Sequence, residues 1–449
     1  MPVPDLAQPV KNGSEFQVPF RGYKAAYYSI VLIGCLAFLV LGVHRQSRVF
    51  KFRDFKQPYA SARCLLAHCN PYSEQDTEAQ YSLALGPNND ARVFVPYSAL
   101  YPPPALLLLV PVAALPYPVA HAVWMILLIA SFCGAALLVA SLCEAYGSLL
   151  PALGIAFFVG NSDELVMLGQ VSGITIALAC FGFWAMLRNK TTLAGACFAC
   201  AVCLKPHDIF FFLPYFLLAG RPWRRALAKI VAIAAAITLA GILWCSLTPA
   251  SSHWLRDLRT NIAGNSASGS INDPTPANSQ ADAIVSLQTV FSVFNPERSF
   301  YTTASYATTG ILFLMWLYGA MRVPNSLEKH LLSIATLACL TLLPIYHRHY
   351  DTRLLLLLFP AIALMLARHR VFGVIALTLF SVEIFPQIGY IFYRAHPSLT
   401  NMSELHFLIA YRLVQLSILA LAVFFATIFA REAWAKDGKL ILSPDIDPV

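Results

Sequence analysis

Four short polar clusters interrupt an otherwise apolar chain, and they hold most of the side chains that could carry chemistry. In chain order they contain Asp54, Gln170, Lys205 with His207, and His347 with His349 and Asp351. Asp54 is the first carboxylate after the first strongly apolar run. A carboxylate there could act as a general base that takes a proton from a hydroxyl. Taken alone, Asp54 is better explained by a surface ion pair with Arg53 or Arg63.

The two later clusters have residue types that suit an anionic ligand. Lys205 and His207 can neutralise a phosphate through charge-assisted hydrogen bonds. His347, His349 and Asp351 could also form a metal site, but their spacing fits no standard metal motif. We therefore favour hydrogen bonding to an anion, predict no metal ligand and no cofactor, and leave a divalent metal open.

Two polar residues, Tyr101 and the Gln170 already named, precede apolar runs. Tyr101 precedes three consecutive prolines, which predict a rigid entry into a membrane span. Gln170 follows a glycine immediately before another apolar run. Both patterns could also mark plain helix starts, which proline favours and which a polar side chain can cap.

The composition excludes a soluble globular protein. The 449 residues are 58% hydrophobic and only 12% charged, and the mean hydropathy is +0.63. The net charge of +8 comes from short basic clusters between apolar runs, a pattern typical of cytoplasmic loops beside anionic lipid rather than of nucleic-acid binding. Nucleotide-binding and hydrolase motifs do not occur in a usable context. The sequence therefore predicts an all-α polytopic membrane protein.

The positions of Lys and Arg fix the sides of the membrane, because short cytoplasmic loops are enriched in them. Arg21 and Lys24 precede the first apolar run, which is expected to be an uncleaved span. We count about twelve spans, plus a re-entrant or broken helix at 149–160 that keeps the later basic loops inside. The predicted segments are a cytoplasmic tail at 1–24, one membrane domain at 25–430, outer loops at 44–98 and 248–303, and a cytoplasmic tail at 431–449.

With this topology the polar clusters all lie on the outer face. Ionisable residues at membrane depth are costly, so their gathering at one level indicates a function. The alternative is that span ends simply lie among lipid headgroups, where such residues are tolerated. Surface helices are expected at 55–67 and 73–85, and an amphipathic helix at 281–294. A disulfide between Cys64 and Cys69 is an open alternative to free thiols.

Several short stretches, spread over most of the chain, resemble one known family. They are Asp54-Phe55, Tyr59-Ala60-Ser61-Ala62-Arg63, Asn70-Pro71-Tyr72, Tyr101-Pro102-Pro103, Gly169-Gln170, Leu193-Ala194-Gly195 leading to Lys205-Pro206, and Pro344 to His349. These stretches are similar to the polyprenol-phosphate-dependent glycosyltransferases of the GT-C superfamily, specifically glycosyltransferase family 87. That family includes the mycobacterial mannosyltransferases of phosphatidylinositol mannoside synthesis.

The resemblance implies a GT-C fold with Asp54 as the catalytic base. It also implies a histidine after a proline near a late span end, where the spacing favours His349 over His347. Asp54 would deprotonate the acceptor hydroxyl, and polyprenyl phosphate would leave the sugar with inversion, while His349 holds phosphate or acceptor. The residues expected to contact substrate are Arg63, Tyr101, Gln170, Lys205, His207, His347 and Asp351.

The expected partners are a polyprenyl-phosphate-linked hexose, with mannose as the expected sugar, a lipid or glycan acceptor, and membrane lipids. The expected location is a bacterial inner or plasma membrane, with cytoplasmic termini and an active site on the periplasmic face. Three alternatives stay open: a flippase for lipid-linked saccharide, a non-catalytic scaffold, and a GT-C enzyme that moves another sugar such as arabinose. A flippase would predict inverted repeats and charges near mid-membrane.

Overall fold

The fold is described for residues 22–45, 53–85, 98–385 and 412–434 in a computed structural model. Within these ranges the chain is helical, and its one β pairing is an isolated bridge between Ile284 and Arg348. The predicted all-α class is confirmed there. The predicted tails, the end of the first outer loop and residues 386–411 lie wholly or largely outside the described residues.

Helices of very different lengths follow one another along the chain. The α-helices are α1 (Tyr23–Arg45), α2 (Arg53–Ala67), α3 (Glu74–Leu85), α4 (Pro103–Ala113), α5 (Tyr117–Cys143), α6 (Leu150–Gly160), α7 (Glu164–Leu168), α8 (Val171–Leu187), α9 (Thr191–Leu204), α10 (Leu213–Leu218), α11 (Arg221–Leu247), α12 (Trp254–Asn265), α13 (Leu287–Phe294), α14 (Arg298–Arg322), α15 (Leu327–Thr341), α16 (Phe359–Arg368), α17 (Arg370–Ile384) and α18 (Leu413–Trp434). Stretches of 3-10 helix lie at Glu144–Tyr146, Pro206–Asp208, Phe210–Phe212, Pro249–Ser251, Ala281–Ala283 and His349–Leu358.

Among the described residues, six helical segments are long and apolar enough to cross a membrane. They are Tyr23–Arg45, Tyr117–Tyr146, Leu150–Leu168, Arg221–Leu247, His349–Arg368 and Leu413–Trp434. In α1, Tyr27, Val31 and Phe38 are buried, yet Leu32 and Ile33 are 52% and 66% exposed. A helix that is apolar on all sides needs either a core or a bilayer around it. The chain is therefore a polytopic integral membrane protein.

The predicted count of about twelve spans is not confirmed. Apolar α4, α8 and α9 have only 11, 17 and 14 residues, fewer than the roughly 20 that a crossing needs. The physical reason is that polar or proline-containing breaks end these helices. Lys205 and Pro206, for example, stop α9 and begin a 3-10 turn. The apolar run that follows the turn forms only a second 3-10 turn and the short α10.

The helix predicted to be re-entrant or broken is interrupted at 161–163, between α6 and α7. Asp163 in this break forms an ion pair with Arg45 at 2.8 Å. The guanidinium of Arg353 donates a hydrogen bond to the carbonyl of Asn161 at 3.1 Å. The freed polar groups of the break are thus bound by other helices, as a helix break at membrane depth requires. Its re-entrant path stays a prediction.

The segments predicted to be outer loops contain helices close to those expected from the sequence. α2 and α3 correspond to the surface helices predicted at 55–67 and 73–85. The helix predicted at 281–294 consists of a 3-10 turn followed by α13, and α14 begins at Arg298 inside the predicted second outer loop. Cys64 and Cys69 carry free thiols in this structure. A disulfide between them, the other alternative left open by the sequence, stays a prediction.

Close backbone packing joins α1 to α6. A Cβ atom added to Gly34 would lie 2.5 Å from both the Cα and the carbonyl oxygen of Ala156. Small residues at such crossings let membrane helices approach closely, and van der Waals packing then holds them together. The first helix is thereby fixed against the broken helix that leads to Gln170.

We expect Gly34→Ala to lower stability by about 1–3 kcal/mol, because the added methyl overpacks this crossing. Gly310→Ala in α14 is the matched control, since a Cβ there meets nothing within 4 Å. The measurement is the apparent unfolding midpoint of the detergent-solubilised protein. Equal midpoints for the two variants would contradict the tight α1–α6 contact.

Candidate active site

The start of α8 brings the predicted site residues together. The side-chain amide of Gln170 donates to a carboxylate oxygen of Asp54. Two residues further on, the hydroxyl of Ser172 accepts a hydrogen bond from the ammonium of Lys205 at 2.8 Å. Lys205 also donates to the carboxylate of Asp351. One helical turn therefore connects the first polar cluster of the chain to the last two.

Aromatic packing sets the position of Asp54 relative to Gln170. Phe55 stacks on Trp124 with ring centroids 4.8 Å apart and an interplanar angle of 13°. The indole of Trp124 donates to the carbonyl of Gly169 at 2.9 Å. Gly169 has φ of +71°, a conformation that glycine adopts without strain, and it turns the chain from α7 into α8. The residues on either side of this contact, Asp54 and Gln170, are thus held face to face.

Asp54 lies in the first turn of α2. The positive end of a helix dipole stabilises a carboxylate there. The hydrogen bond from Gln170 also favours the ionised form. An ionised carboxylate can accept hydrogen bonds at about four lone-pair positions.

Lys205 is a buried cation whose charge is matched by carboxylates. Its ammonium contacts Asp351, lies 3.7 Å from an oxygen of Asp208, and lies 5.2 Å from the ring centroid of Tyr350. Burial disfavours the charge, and the attraction of Asp208 and Asp351 outweighs it, so the pKa of Lys205 lies above its usual value. The ammonium is therefore charged at any physiological pH.

Two histidines and two carboxylates form a compact group beside Lys205. Nδ1 of the fully buried His347 lies 3.3 Å from Asp208 and 3.5 Å from Asp351. Nε2 of His207 lies 3.5 Å from Asp208. Burial lowers the pKa of His207 to about 4. Burial opposes the charged form of His347 as well, but Asp208 and Asp351 outweigh it and raise its pKa. Together the four side chains could hold a metal ion.

Tyr101 lies within electrostatic reach of both halves of the site. Burial raises the pKa of its phenol, Lys205 lowers it, and Asp54 raises it further. Its carbonyl accepts a hydrogen bond from the hydroxyl of Tyr72 at 3.0 Å, which fixes the chain just before α4. The structure thus places Tyr101 beside the group formed by Asp54, Gln170 and Lys205.

Arg63 and His349 contact other parts of the molecule. The guanidinium of Arg63 donates to the carbonyl of Ala113 at 3.0 Å, so it caps the carboxyl end of α4 as basic side chains often do. Nε2 of His349 lies 3.0 Å from the carbonyl of Asp282, in the predicted second outer loop. These contacts do not bring either residue to Asp54 or Lys205, and their predicted roles in substrate binding and catalysis stay predictions.

Three residues outside the predicted set belong to the site by their contacts. Ser172 and Asp208 both approach the ammonium of Lys205. The backbone N–H of Arg348 donates to Asp351 at 2.9 Å. A local signal for Asp208 exists in the sequence, since it follows Lys205 by three residues in a proline-led turn. For Ser172 the only signal in the sequence is that it follows Gln170 by two residues.

An apolar groove of about 420 Å³ lies next to this site. It is lined by Phe210, Phe211, Tyr306, Thr309, Gly310, Phe313, Pro344 and Ile345. Phe210 follows Asp208 by two residues, and Ile345 precedes His347 by two, so the groove begins where the charged group ends. A larger hollow of about 550 Å³ lies on α12 and contains none of the predicted site residues.

The fold is that of a polytopic helical membrane protein in which an acid–amide pair and a buried lysine meet at the start of α8. The sequence model of glycosyltransferase family 87 matches residues 99–345, more than half of the chain. The chain therefore belongs to glycosyltransferase family 87 and is a membrane glycosyltransferase of the GT-C type. No curated protein and no solved structure matches it.

The family match confirms the resemblance predicted from the sequence. Its range includes Tyr101, Gln170, Lys205 and His207, and it ends two residues before His347. Asp54 precedes the range. Sugar, donor and acceptor are not specified by the match.

We expect Asp351→Asn to destabilise the protein by about 3 kcal/mol, near the low end for loss of one partner of a buried ion pair. The low end applies because Asp208 and Ser172 remain near Lys205. The measurement is the apparent unfolding midpoint in detergent. Glu328→Gln is the matched control, since its 2.7 Å ion pair with Arg368 is partly exposed and should contribute about 1 kcal/mol or less. If Glu328→Gln shifted the unfolding midpoint as much as Asp351→Asn, the buried ion pair would stabilise the protein no more than the partly exposed one.

Proposed function

We propose that this glycosyltransferase moves a hexose, with mannose as the first candidate, from a polyprenyl-phosphate donor to a hydroxyl of a lipid or glycan acceptor. The reaction takes place on the extracytoplasmic face of a bacterial plasma membrane. The observation that carries the proposal is the adjacency of three features: the carboxylate of Asp54, the buried ammonium of Lys205, and the apolar groove.

In the proposed reaction Asp54 acts as the general base. As the acceptor O–H bond breaks, its proton passes to the carboxylate. The acceptor oxygen forms a bond to the anomeric carbon of the donor sugar. The bond between that carbon and the phosphate oxygen breaks, and polyprenyl phosphate leaves with the electron pair. Attack from the face opposite the phosphate inverts the configuration. Gln170 orients the base through its hydrogen bond.

Lys205 and Arg348 are the cations proposed to bind the phosphate. Lys205 is charged and lies in a buried environment, where an electrostatic contact is stronger than in water. The guanidinium of Arg348 donates to the carbonyl of Ile271 and to the hydroxyl of Tyr346, both at 2.7 Å. These contacts use two of its five N–H donors. The electrostatic reach of Arg348 extends to Asp54, which suits a phosphate lying near the base.

The groove supports a lipid-linked donor over a soluble nucleotide sugar. Its lining is apolar, and its rim residues Phe210 and Tyr306 are 64% and 50% exposed on the outside of the helices. Exposed aromatic surface of this kind suits contact with lipid, so a polyprenyl chain can enter the groove from the bilayer. A nucleotide would place polar groups against this surface, at a cost in desolvation.

We expect Asp54→Asn and Asp54→Ala to reduce sugar transfer by about 10²- to 10⁴-fold, the usual contribution of a general base. Membranes containing each variant receive radiolabelled polyprenyl-phosphate mannose, and label is followed into lipid extracts. Glu78→Gln on exposed α3 is the matched control and should leave transfer unchanged.

Transfer that survives in both Asp54 variants at equal expression would remove Asp54 as the base while keeping the enzyme. Failure with mannose, glucose and arabinose donors, together with saccharide movement across the bilayer, would replace the transferase by a flippase.

We expect Gly310→Leu to raise the KM for a long-chain polyprenyl donor on the order of tenfold. The added side chain enters space that is open around Gly310 and displaces a few methylenes of the donor, each worth about 0.8 kcal/mol when buried. The KM for a short-chain donor should stay close to that of the wild type. Equal changes for both donors would mean that the groove does not hold the lipid tail.

A further inference from the structure

The group formed by His207, Asp208, His347 and Asp351 has a geometry that hydrogen bonding alone does not explain. One nitrogen or oxygen atom from each side chain lies within 4.8 Å of the other three. The residues come from two segments that are far apart in the chain, the 3-10 turn after α9 and the entry to the 3-10 stretch His349–Leu358. We infer that these four side chains bind one divalent transition-metal ion, and that Zn²⁺ fits them best.

Three of the six separations between the ligand atoms agree with tetrahedral coordination, and all six are within 4.8 Å. Zn²⁺ binds imidazole nitrogen and carboxylate oxygen at about 2.0–2.2 Å, which separates neighbouring ligand atoms by about 3.3–3.6 Å in a tetrahedron. The separations from His347 to Asp208 and Asp351 are 3.3 and 3.5 Å, and that from His207 to Asp208 is 3.5 Å. Two imidazoles favour zinc over magnesium or calcium, which prefer oxygen ligands.

Buried polar atoms in this group have no hydrogen-bond partner among the described residues. They are both carboxylate oxygens of Asp208, both ring nitrogens of His347, and Nε2 of His207. Asp208 and His347 are 1% and 0% exposed, so solvent does not replace the missing partners. A buried polar group that is left without a partner destabilises the folded protein. A bound cation would satisfy one atom of each residue at once.

The surroundings also orient one of the ligands. Asp351 is held by the ammonium of Lys205 and by the backbone N–H of Arg348. Hydrogen bonds of this kind fix metal-binding carboxylates in other proteins and tune the affinity of the site. The carboxylate of Asp351 is therefore already oriented before a metal binds.

The charge of the group gives the metal a role that rests on the proposed function. With neutral imidazoles, the two carboxylates and Lys205 sum to a charge of −1, which weakens the attraction of Lys205 and Arg348 for a donor phosphate. A divalent ion changes the sum to +1, which attracts it. The metal binding itself depends only on the four side chains and not on the identity of the substrate.

The test measures metal bound to the purified full-length protein in detergent, stripped with EDTA and then dialysed against Zn²⁺. We expect about one zinc per chain by elemental analysis, and at least a tenfold weaker affinity by calorimetry in His207→Gln and His347→Ala. His207→Gln is included because His207 is partly exposed and its loss is the less disruptive. His253→Ala, outside the group, is the matched control and should bind like the wild type.

Absence of zinc above the buffer level would overturn the inference and favour a shared proton on His347. Equal zinc binding by wild type, His207→Gln and His347→Ala would also overturn it. The inference and the proposed function fail separately: Asp54→Asn should lose transfer and keep its zinc. A wild type that transfers sugar but binds no zinc would refute the metal alone.

Discussion

The contact between the ammonium of Lys205 and the carboxylate of Asp351 is the interaction on which the rest of the site depends. It joins positions 146 residues apart in the chain. Both groups are buried, and an unpaired buried charge costs several kcal/mol. The end of α9 and the start of the 3-10 stretch His349–Leu358 must therefore be assembled together. Ser172 adds the start of α8 to the same point, so three separate elements share one polar centre.

The start of α8 then sets the distance between the two halves of the site. Gln170 binds Asp54, and Ser172 binds Lys205, so the contacts to Asp54 and Lys205 come from positions two residues apart at the start of one helix. Trp124 holds this turn through the carbonyl of Gly169. Catalysis by positioned groups requires such rigid support, since small displacements of a reacting group reduce the rate strongly.

Local pattern was enough to predict α2, α3 and the long apolar helices, and charge bias predicted that the polar clusters would meet. The local pattern was not enough to predict the number of membrane spans, because hydropathy cannot show that Lys205 and Pro206 end α9 early. Spacing favoured His349 over His347, but it did not predict their surroundings: His347 lies beside two carboxylates, and His349 lies beside the carbonyl of Asp282. The four candidate metal ligands come from two segments that are far apart in the chain, so no local sequence motif identifies them.

The groove and the charged group together restrict how a lipid-linked donor can bind. Phe210 and Ile345 line the groove, and each lies two residues from a member of the charged group, Asp208 or His347. On the proposed function, a polyprenyl chain in the groove brings its phosphate to Lys205. The sugar must then extend from the phosphate toward the start of α8, where Gln170 holds Asp54. The direction of attack thus follows from the order groove, cation, base, and does not require a specific contact with each sugar hydroxyl.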